Sequence, residues 1–159
     1  MSKRLDIHSY EGIGEFHLHE VSAEEETLLR QIADIAIQRD LLIHVHSGKA
    51  PVDLLYAMEP ELRIIWAHAG LVEPAKVVEA MMASYNSLSA DTSYRECDIM
   101  DVDGTIEGDW RRVMDRFPDR FMIGSDTWAN SLWAEYRGLL KINRKWLSRF
   151  SRYIAENIA

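Results

Sequence analysis

Residues 41–70 read LLIHVHSGKAPVDLLYAMEPELRIIWAHAG, and this stretch decides the fold. An apolar run at 41–46 and a second at 62–67 are each short and rich in Ile or Val, which predicts two buried strands. Between them Pro51 opens a segment whose apolar residues recur at helical spacing, and Glu59-Pro60 closes it. A strand, a helix and a strand in this order predict two parallel strands joined by a right-handed crossover.

The same unit recurs along the chain. The predicted strands cover residues 12–18, 41–46, 62–67, 87–90 and 120–124. Three of them carry Val, Ile, Phe or Trp in the manner of a strand buried on both faces, and the run at 87–90 is a weaker pattern. Three predicted helices begin at the capping box Ser22-x-x-Glu25, at Pro51 and at Pro74. Two more are predicted over residues 110–117 and 131–157. This alternation predicts an α/β protein with a parallel sheet.

Two architectures fit five such units. No G-x-G-x-x-G motif follows the first strand, which argues against a dinucleotide-binding Rossmann domain. Five strands can form an open sheet, or they can form five of the eight units of a (β/α)8 TIM barrel, whose full form needs about 250 residues. At roughly 100–200 residues per domain, residues 1–159 are expected to form a single domain.

Charge and hydropathy exclude several classes of function. Lys plus Arg number 18 and Asp plus Glu 26, and the resulting charge of -8 argues against nucleic-acid or anionic-membrane binding. Mean hydropathy is -0.23, and neither a membrane-spanning run nor the apolar core of a signal peptide is found. The single cysteine, Cys97, excludes an internal disulfide and fits a reducing cytoplasm.

Polar residues gather where the predicted strands end. They are Glu15, His17, His19, His44, His46, His68, Asp91 and Asp126. Because the carboxyl ends of parallel strands share one edge of the sheet, these side chains are expected to meet there. Taken singly, a strand-end His is more often a satisfied structural residue, and a strand-end Asp is often a helix cap. Their joint occurrence supports the prediction of a site.

Imidazole and carboxylate groups together form a ligand set for a divalent metal. Zinc is the first expectation, with Mn, Fe or Co as alternatives. Such an ion lowers the pKa of water towards about 7, and a neighbouring carboxylate can carry the released proton to a leaving group. Trp128 follows Asp126 in the sequence and could line the pocket of a small-molecule substrate.

Five segments of the chain together resemble amidohydrolase-related, metal-dependent hydrolases of the amidohydrolase superfamily. They are GIGEFHLH (12–19), LLIHVHSG (41–48), IIWAHAG (64–70), LSADTSYR (88–95) and PDRFMIGSDTW (118–128). They occur in the family order and correspond to strands four to eight of the family's TIM barrel. The resemblance implies a hydrolase in which activated water attacks a carbonyl-type or phosphoryl centre, although the family also includes decarboxylases.

The resemblance also implies roles for individual residues. Glu15 matches the acidic position of strand four, and His46 matches the metal ligand of strand five. His68 matches the strand-six histidine, a second-metal ligand or a stabiliser of the activated water. Asp126 matches the strand-eight acid, a metal ligand that also serves as general base. Asp91 and Arg95 fall in the strand-seven segment and are expected to face substrate, and His17 is expected to point inward.

The chain departs from the family in one respect. Such barrels carry an H-x-H pair on strand one, whereas His17 and His19 directly follow the strand-four motif and are assigned to it. Strands one to three are therefore expected to be absent, leaving sheet edges that favour a homodimer. Two other interpretations stay open. One is a catalytically inactive half-barrel fragment, and the other is a non-enzymatic assembly module using the sheet edge and the basic last helix.

Overall fold

A computed structural model describes residues 2–159 and contains one five-stranded sheet in which all neighbouring strands are parallel. The strands are β1 (Gly12–Leu18), β2 (Leu42–Ser47), β3 (Arg63–Trp66), β4 (Leu88–Asp91) and β5 (Phe121–Met122). All five lie where the sequence predicts them, although β5 is shorter than expected. The prediction of an α/β protein with a parallel sheet is confirmed.

Helices precede, connect and follow the strands. They are α1 (Ser2–Ile7), α2 (Ala23–Arg39), α3 (Lys49–Met58), α4 (Ala75–Ser84), α5 (Glu96–Ile99), α6 (Gly108–Arg116), α7 (Tyr136–Leu147) and α8 (Arg152–Ile158). Short 3-10 turns cover Ala67–Gly70, Pro118–Arg120 and Asn130–Ala134. The short helices α1 and α5 are not predicted by the sequence patterns. No helix among the described residues is long and apolar enough to cross a membrane.

The strands lie in the sheet in the same order as in the sequence, from β1 to β5. Right-handed crossovers between strands in unbroken order place the connecting helices on one face of the sheet. A doubly wound sheet differs, because its strand order reverses and its helices cover both faces. The chain is therefore wound in one direction only, and the connecting helices do not cover the second face of its sheet.

Strand residues alternate between the helical face and the opposite face. The residues facing the helices form the core and are almost fully buried: Ile43, Val45, Ile64, Trp66, Leu88 and Ala90. The residues between them, His44, Ile65 and Ser89, are only half-buried. The prediction of strands buried on both faces is therefore wrong, because the connecting helices cover one face.

The start of α2 follows the sequence signal. The hydroxyl of Ser22 accepts from the backbone N–H of Glu25, whose carboxylate accepts from the N–H of Ser22 at 2.8 Å. This reciprocal pair is the predicted capping box, and it satisfies two N–H groups that the first turn leaves open. At the other end Asp40 adopts a left-handed conformation with φ 54° and its N–H closes the last turn.

The prediction of a single helix over residues 131–157 is wrong. The structure divides this segment into a 3-10 turn, α7 and α8, because Ser151 begins a new helix by accepting from the N–H of Ile154. Phe150 lies at the bend and packs edge-to-face on Trp146 in the core. The break lets α8 lie beside β5, where the carbonyl of Ile158 accepts from the N–H of Ile123.

The two outer strands of the sheet differ in their surroundings. The end of β5 is flanked by α8, whereas β1 has no strand on its outer side within residues 2–159. An outer strand presents unpaired backbone groups to which another chain can add. Association of two copies through this edge stays a prediction. Light scattering at micromolar concentration checks it, and a compact monomer would contradict it.

Gly14 of β1 permits a close approach between two strands. Its φ is 140°, and a Cβ at this position would lie 2.2 Å from the carbonyl oxygen of His44. We expect Gly14→Ala to lower the free energy of unfolding by more than about 2 kcal/mol, because the backbone must move apart. Gly138→Ala is the matched control. Nothing lies within 4 Å of its added Cβ, so it should gain about 0.5–1 kcal/mol from helix propensity. Urea unfolding of both variants measures the difference.

Candidate metal centre

The first two strands bring Glu15, His17 and His46 together. Their register shifts between Ile13 and Phe16, where β1 has one more residue than β2. Beyond this bulge His17 pairs with His46, and the two imidazole rings stack with centroids 3.9 Å apart. Within the bulge, the Oε1 atom of Glu15 lies 2.9 Å from Nδ1 of His46. The bulge thus directs two side chains of β1 onto one histidine of β2.

A sharp turn after β3 brings His68 to the same place. His68 and Ala69 have φ values of 56° and 43°, so the chain folds back at once instead of entering a helix. Gly70 completes the turn with φ 81°, and an added Cβ would lie 2.4 Å from the indole of Trp66. That indole donates from Nε1 to the carbonyl of Ser47 at 2.7 Å, which ties the turn to the end of β2. The local sequence W-A-H-A-G therefore fixes where His68 lies.

Three ligand atoms converge at this point. Nε2 of His68 lies 3.1 Å from Nδ1 of His46 and 3.6 Å from Oε1 of Glu15. All three atoms lie within 4.8 Å of one another. Two imidazole nitrogens and a carboxylate oxygen form a ligand set that suits Zn, Fe, Mn or Co. The residues present therefore fit a divalent metal ion.

Hydrogen bonds on the far side of His68 fix which nitrogen carries its proton. Nδ1 lies 3.2 Å from the backbone carbonyl of Ser93 and 2.8 Å from its hydroxyl oxygen. A carbonyl can only accept, so Nδ1 carries the proton of the neutral ring, and in that tautomer Nε2 has a free lone pair. That lone pair is directed at His46 and Glu15. Metal-binding histidines are oriented in the same way, through a bond from their other nitrogen.

Behind His68 lies the buried carboxylate of Asp91. It accepts from the backbone N–H of His68 at 3.2 Å and from the N–H of Ser93 at 3.0 Å, and it also bonds the Ser93 hydroxyl. Nε2 of His44 lies 3.3 Å from its Oδ2 atom. Burial raises the pKa of Asp91, but bonds from His44 and Ser93 outweigh burial and lower the pKa below its usual range. Asp91 thus supports the cluster from behind.

Asp126 approaches the cluster from one side. Its Oδ2 atom lies 3.9 Å from Nε2 of His68, and its backbone has a left-handed φ of 43°. Burial raises the pKa of Asp126, repulsion from Glu15 and Asp91 adds to the rise, and His68 opposes it. A carboxylate with a raised pKa is a better proton acceptor near neutral pH. Asp126 is thus placed beside the three ligand atoms.

A cavity of about 820 Å³ opens beside the cluster, and His46, His68 and Asp126 form part of its wall. Of the four residues expected to face a substrate, Arg95 and Trp128 line this cavity, whereas Asp91 and His17 are not among its lining residues. Trp128 is 79% exposed and stands at the rim, whereas Arg95 is buried. The space is large enough for a small-molecule substrate.

Comparison of the chain with protein-family models, with curated proteins and with solved structures finds no match. The function of the cluster is therefore inferred from its own atoms and from the sequence motifs that form it.

Unusual backbone conformations surround the cluster. Among residues 2–159, six non-glycine residues have positive φ: Asp40, His68, Ala69, Leu71, Tyr94 and Asp126. All except Asp40 lie in the loops that follow β3, β4 and β5. Left-handed backbone costs free energy in residues with a side chain, and such strain is often found at functional sites. The strain thus coincides with the edge of the sheet that carries the ligand atoms.

Two contributors to this site have no role assigned from the sequence: Ser93 is not among the strand-end polar residues named there, and His44 is named among them without a specific function. Ser93 fixes the tautomer of His68, and His44 supports Asp91. A signal for Ser93 exists in the sequence, because Asp followed two residues later by Ser favours a turn in which the carboxylate accepts from the serine N–H. The position of His44 depends on the distance between β2 and β4, which no local pattern encodes.

The pair formed by His44 and Asp91 predicts a pH-dependent stability. The bond to Asp91 raises the pKa of His44 above 6.5, with burial opposing it. Protonated His44 therefore stabilises the folded chain below that usual pKa, and this contribution is lost as the pH rises through the folded-state pKa. We expect His44→Asn to cost about 1 kcal/mol at about pH 5.5 and less at about pH 8.5.

Denaturant unfolding in the presence of a chelator measures this difference. His8→Asn is the matched control, because His8 is exposed and lies outside the cluster. Its cost should be small at both pH values. An equal cost of His44→Asn at both pH values would contradict the assignment of a charged pair.

Proposed function

We propose that the chain is a metal-dependent hydrolase domain of the amidohydrolase-related type. One observation carries the proposal: Oε1 of Glu15, Nδ1 of His46 and Nε2 of His68 lie within 4.8 Å of one another at the end of a parallel sheet. The three residues come from separate segments of the chain, and each belongs to a motif that resembles the family. Zinc is the ion that this proposal expects first.

The strand order supports the proposed (β/α)8 relationship. Five parallel strands in sequence order, with crossover helices on one face, correspond to five consecutive units of a barrel. Active sites of such barrels lie at the carboxyl ends of the strands. His46 lies near the end of β2, and His68 and Asp126 follow β3 and β5. An open sheet wound in one direction is the alternative arrangement of the same five units.

Glu15, His46 and His68 would hold the ion through the three atoms that converge. A divalent metal supplies Lewis acidity, which lowers the pKa of water towards about 7. Ser93 keeps the proton of His68 on Nδ1, so that Nε2 offers its lone pair. His17 stacks on the ring of His46 and limits its rotation.

Asp126 is the residue proposed to move the proton. Its carboxylate lies beside the ligand atoms, and burial raises its pKa, which suits a group that alternately accepts and donates near neutral pH. Oδ2 would accept a proton from water as the water oxygen attacks a carbonyl or phosphoryl centre. The same proton then passes to the leaving group as the scissile bond breaks. The cavity beside Asp126 provides the space for the substrate.

Metal analysis of the purified chain tests the proposal. We expect roughly one divalent ion per chain in the wild type and almost none in His46→Ala or His68→Ala, because each variant removes one of three ligands. His19→Ala is the matched control, since His19 is exposed and lies outside the ligand cluster. It should retain the metal. A wild-type chain that holds no metal and gains no thermal stability from added zinc or manganese would overturn the proposal.

Asp126→Asn separates metal binding from proton transfer. Asp126 stands outside the three-residue cluster, so we expect this variant to retain its metal. Hydrolysis of chromogenic esters and phosphate esters should fall by about 10²–10⁴-fold, the usual contribution of a general base. Loss of the metal from Asp126→Asn would instead make Asp126 a ligand, as the family resemblance implies.

A further inference from the structure

Arg95 carries a positive charge that the protein only partly compensates. The residue is 3% exposed and lies between β4 and α5 in the wall of the cavity beside the ligand cluster. One nitrogen, Nη2, donates to the carbonyl of Glu73 at 2.7 Å. The other two, Nε and Nη1, are buried and have no hydrogen-bond partner. Buried N–H groups are costly when unpaired, and those of a charged group more so.

Asp98 is the nearest opposite charge. Its Oδ2 atom lies 2.9 Å from Nε, but the contact does not have the geometry of a hydrogen bond. The side chain of Asp98 is 55% exposed, so moving it aside would cost little packing. Burial lowers the pKa of Arg95, and the nearby charges of Asp98 and Glu73 oppose this. The exposed carboxylate of Asp98 therefore lies beside the buried guanidinium of Arg95 but leaves two of its nitrogens without a hydrogen bond.

The cavity wall beside Arg95 is apolar and would suit the apolar part of a ligand. The guanidinium carbon lies 4.9 Å from the ring centroid of Trp110, which together with Leu71 and Pro74 gives the cavity an apolar wall. Three of the four other acidic residues of the wall already have partners: the Glu73 carboxylate accepts from the backbone N–H of Lys49 at 2.9 Å, and Asp126, beside the ligand atoms, is the fourth. Glu107 accepts from the first N–H groups of α6, and Asp109 pairs with Arg112.

We propose that Arg95 binds a carboxylate group of the substrate, displacing Asp98, while the apolar body of the substrate packs against Trp110 and Pro74. The inference rests on the proposed function, because it names the substrate class of that same site. The carboxylate supplies an acceptor for Nε along the guanidinium edge that Nε shares with Nη2, whereas Nη1 points along a different edge and lies outside this contact. Arginine is the residue best suited to such a contact, since its N–H groups match the planar carboxylate.

Benzoate and benzamide serve as probes, because they share size and shape and differ in charge. Their binding to the chelator-treated chain is followed by NMR through the indole N–H signals of Trp110 and Trp128. We expect benzoate to bind about tenfold more tightly than benzamide, as one charge-assisted hydrogen bond provides. In Arg95→Gln the two affinities should agree within about twofold. Arg63→Gln is the matched control, because Arg63 lies at the opposite end of the sheet and outside the cavity.

Asp98→Asn separates ligand recognition from a purely structural role of Arg95. Removing the competing carboxylate should tighten benzoate binding severalfold and leave benzamide unchanged, whereas a merely structural arginine would give no such gain. If Arg95→Gln does not fold, Asp98→Asn and Arg95→Lys decide the question. Arg95→Lys keeps the charge and should retain part of the preference for benzoate.

Three results would overturn the inference. They are equal affinities of the wild type for the two probes, a benzoate preference that persists in folded Arg95→Gln, and a benzoate affinity that does not change in Asp98→Asn. None of these measurements requires a metal or catalysis. Failure of the metal test therefore leaves the carboxylate test readable, and failure of the carboxylate test leaves the proposed metal site in place.

Discussion

The carboxylate of Asp91 accepts hydrogen bonds from two separate backbone segments at the edge of the sheet. It bonds the turn after β3 through the N–H of His68 and the loop after β4 through Ser93. Burying the Asp91 carboxylate away from water costs free energy, and the hydrogen bonds from His68 and Ser93 offset that cost. The position of Asp91 therefore sets the position of His68, the orientation of Ser93 and the direction in which Nε2 points.

The remaining parts of the candidate site depend on this arrangement. His68 is almost completely buried, and its place is determined by the left-handed turn that Asp91 supports. Glu15 and His46 then approach it from two strands that are themselves held in register by backbone pairing. A buried histidine that is hydrogen-bonded on its far side, with two more accessible partners, is a suitable ligand arrangement, because those bonds orient its ring.

The sheet could be predicted from the sequence, because buried strands and amphipathic helices leave different apolar periods. The capping box at Ser22 located the start of α2 correctly, since it depends on residues three apart. The break between α7 and α8 could not be predicted, because the apolar period runs on through it. It depends instead on a serine cap at Ser151 and on packing against β5, which is remote in sequence.

The candidate ligands could likewise be named from motifs at strand ends, and the structure brings Glu15, His46 and His68 together. Their supporting bonds could not be named. The tautomer of His68 depends on where the Ser93 carbonyl lies, and the pairing of His44 depends on the separation of β2 and β4. Such contacts arise from tertiary geometry, and a single sequence does not encode them in any local pattern.

Neighbouring side chains of β2 point to opposite faces of the sheet, so they contribute separately to the core and to the candidate site. Ile43 and Val45 are fully buried against the helices, whereas His44 and His46 face the other way. Selection can therefore exchange residues on the histidine side without disturbing the hydrophobic interior, and can refine the interior without altering the chemistry. A sheet wound in one direction is in this sense tolerant of functional change, since new activities can arise while the scaffold persists.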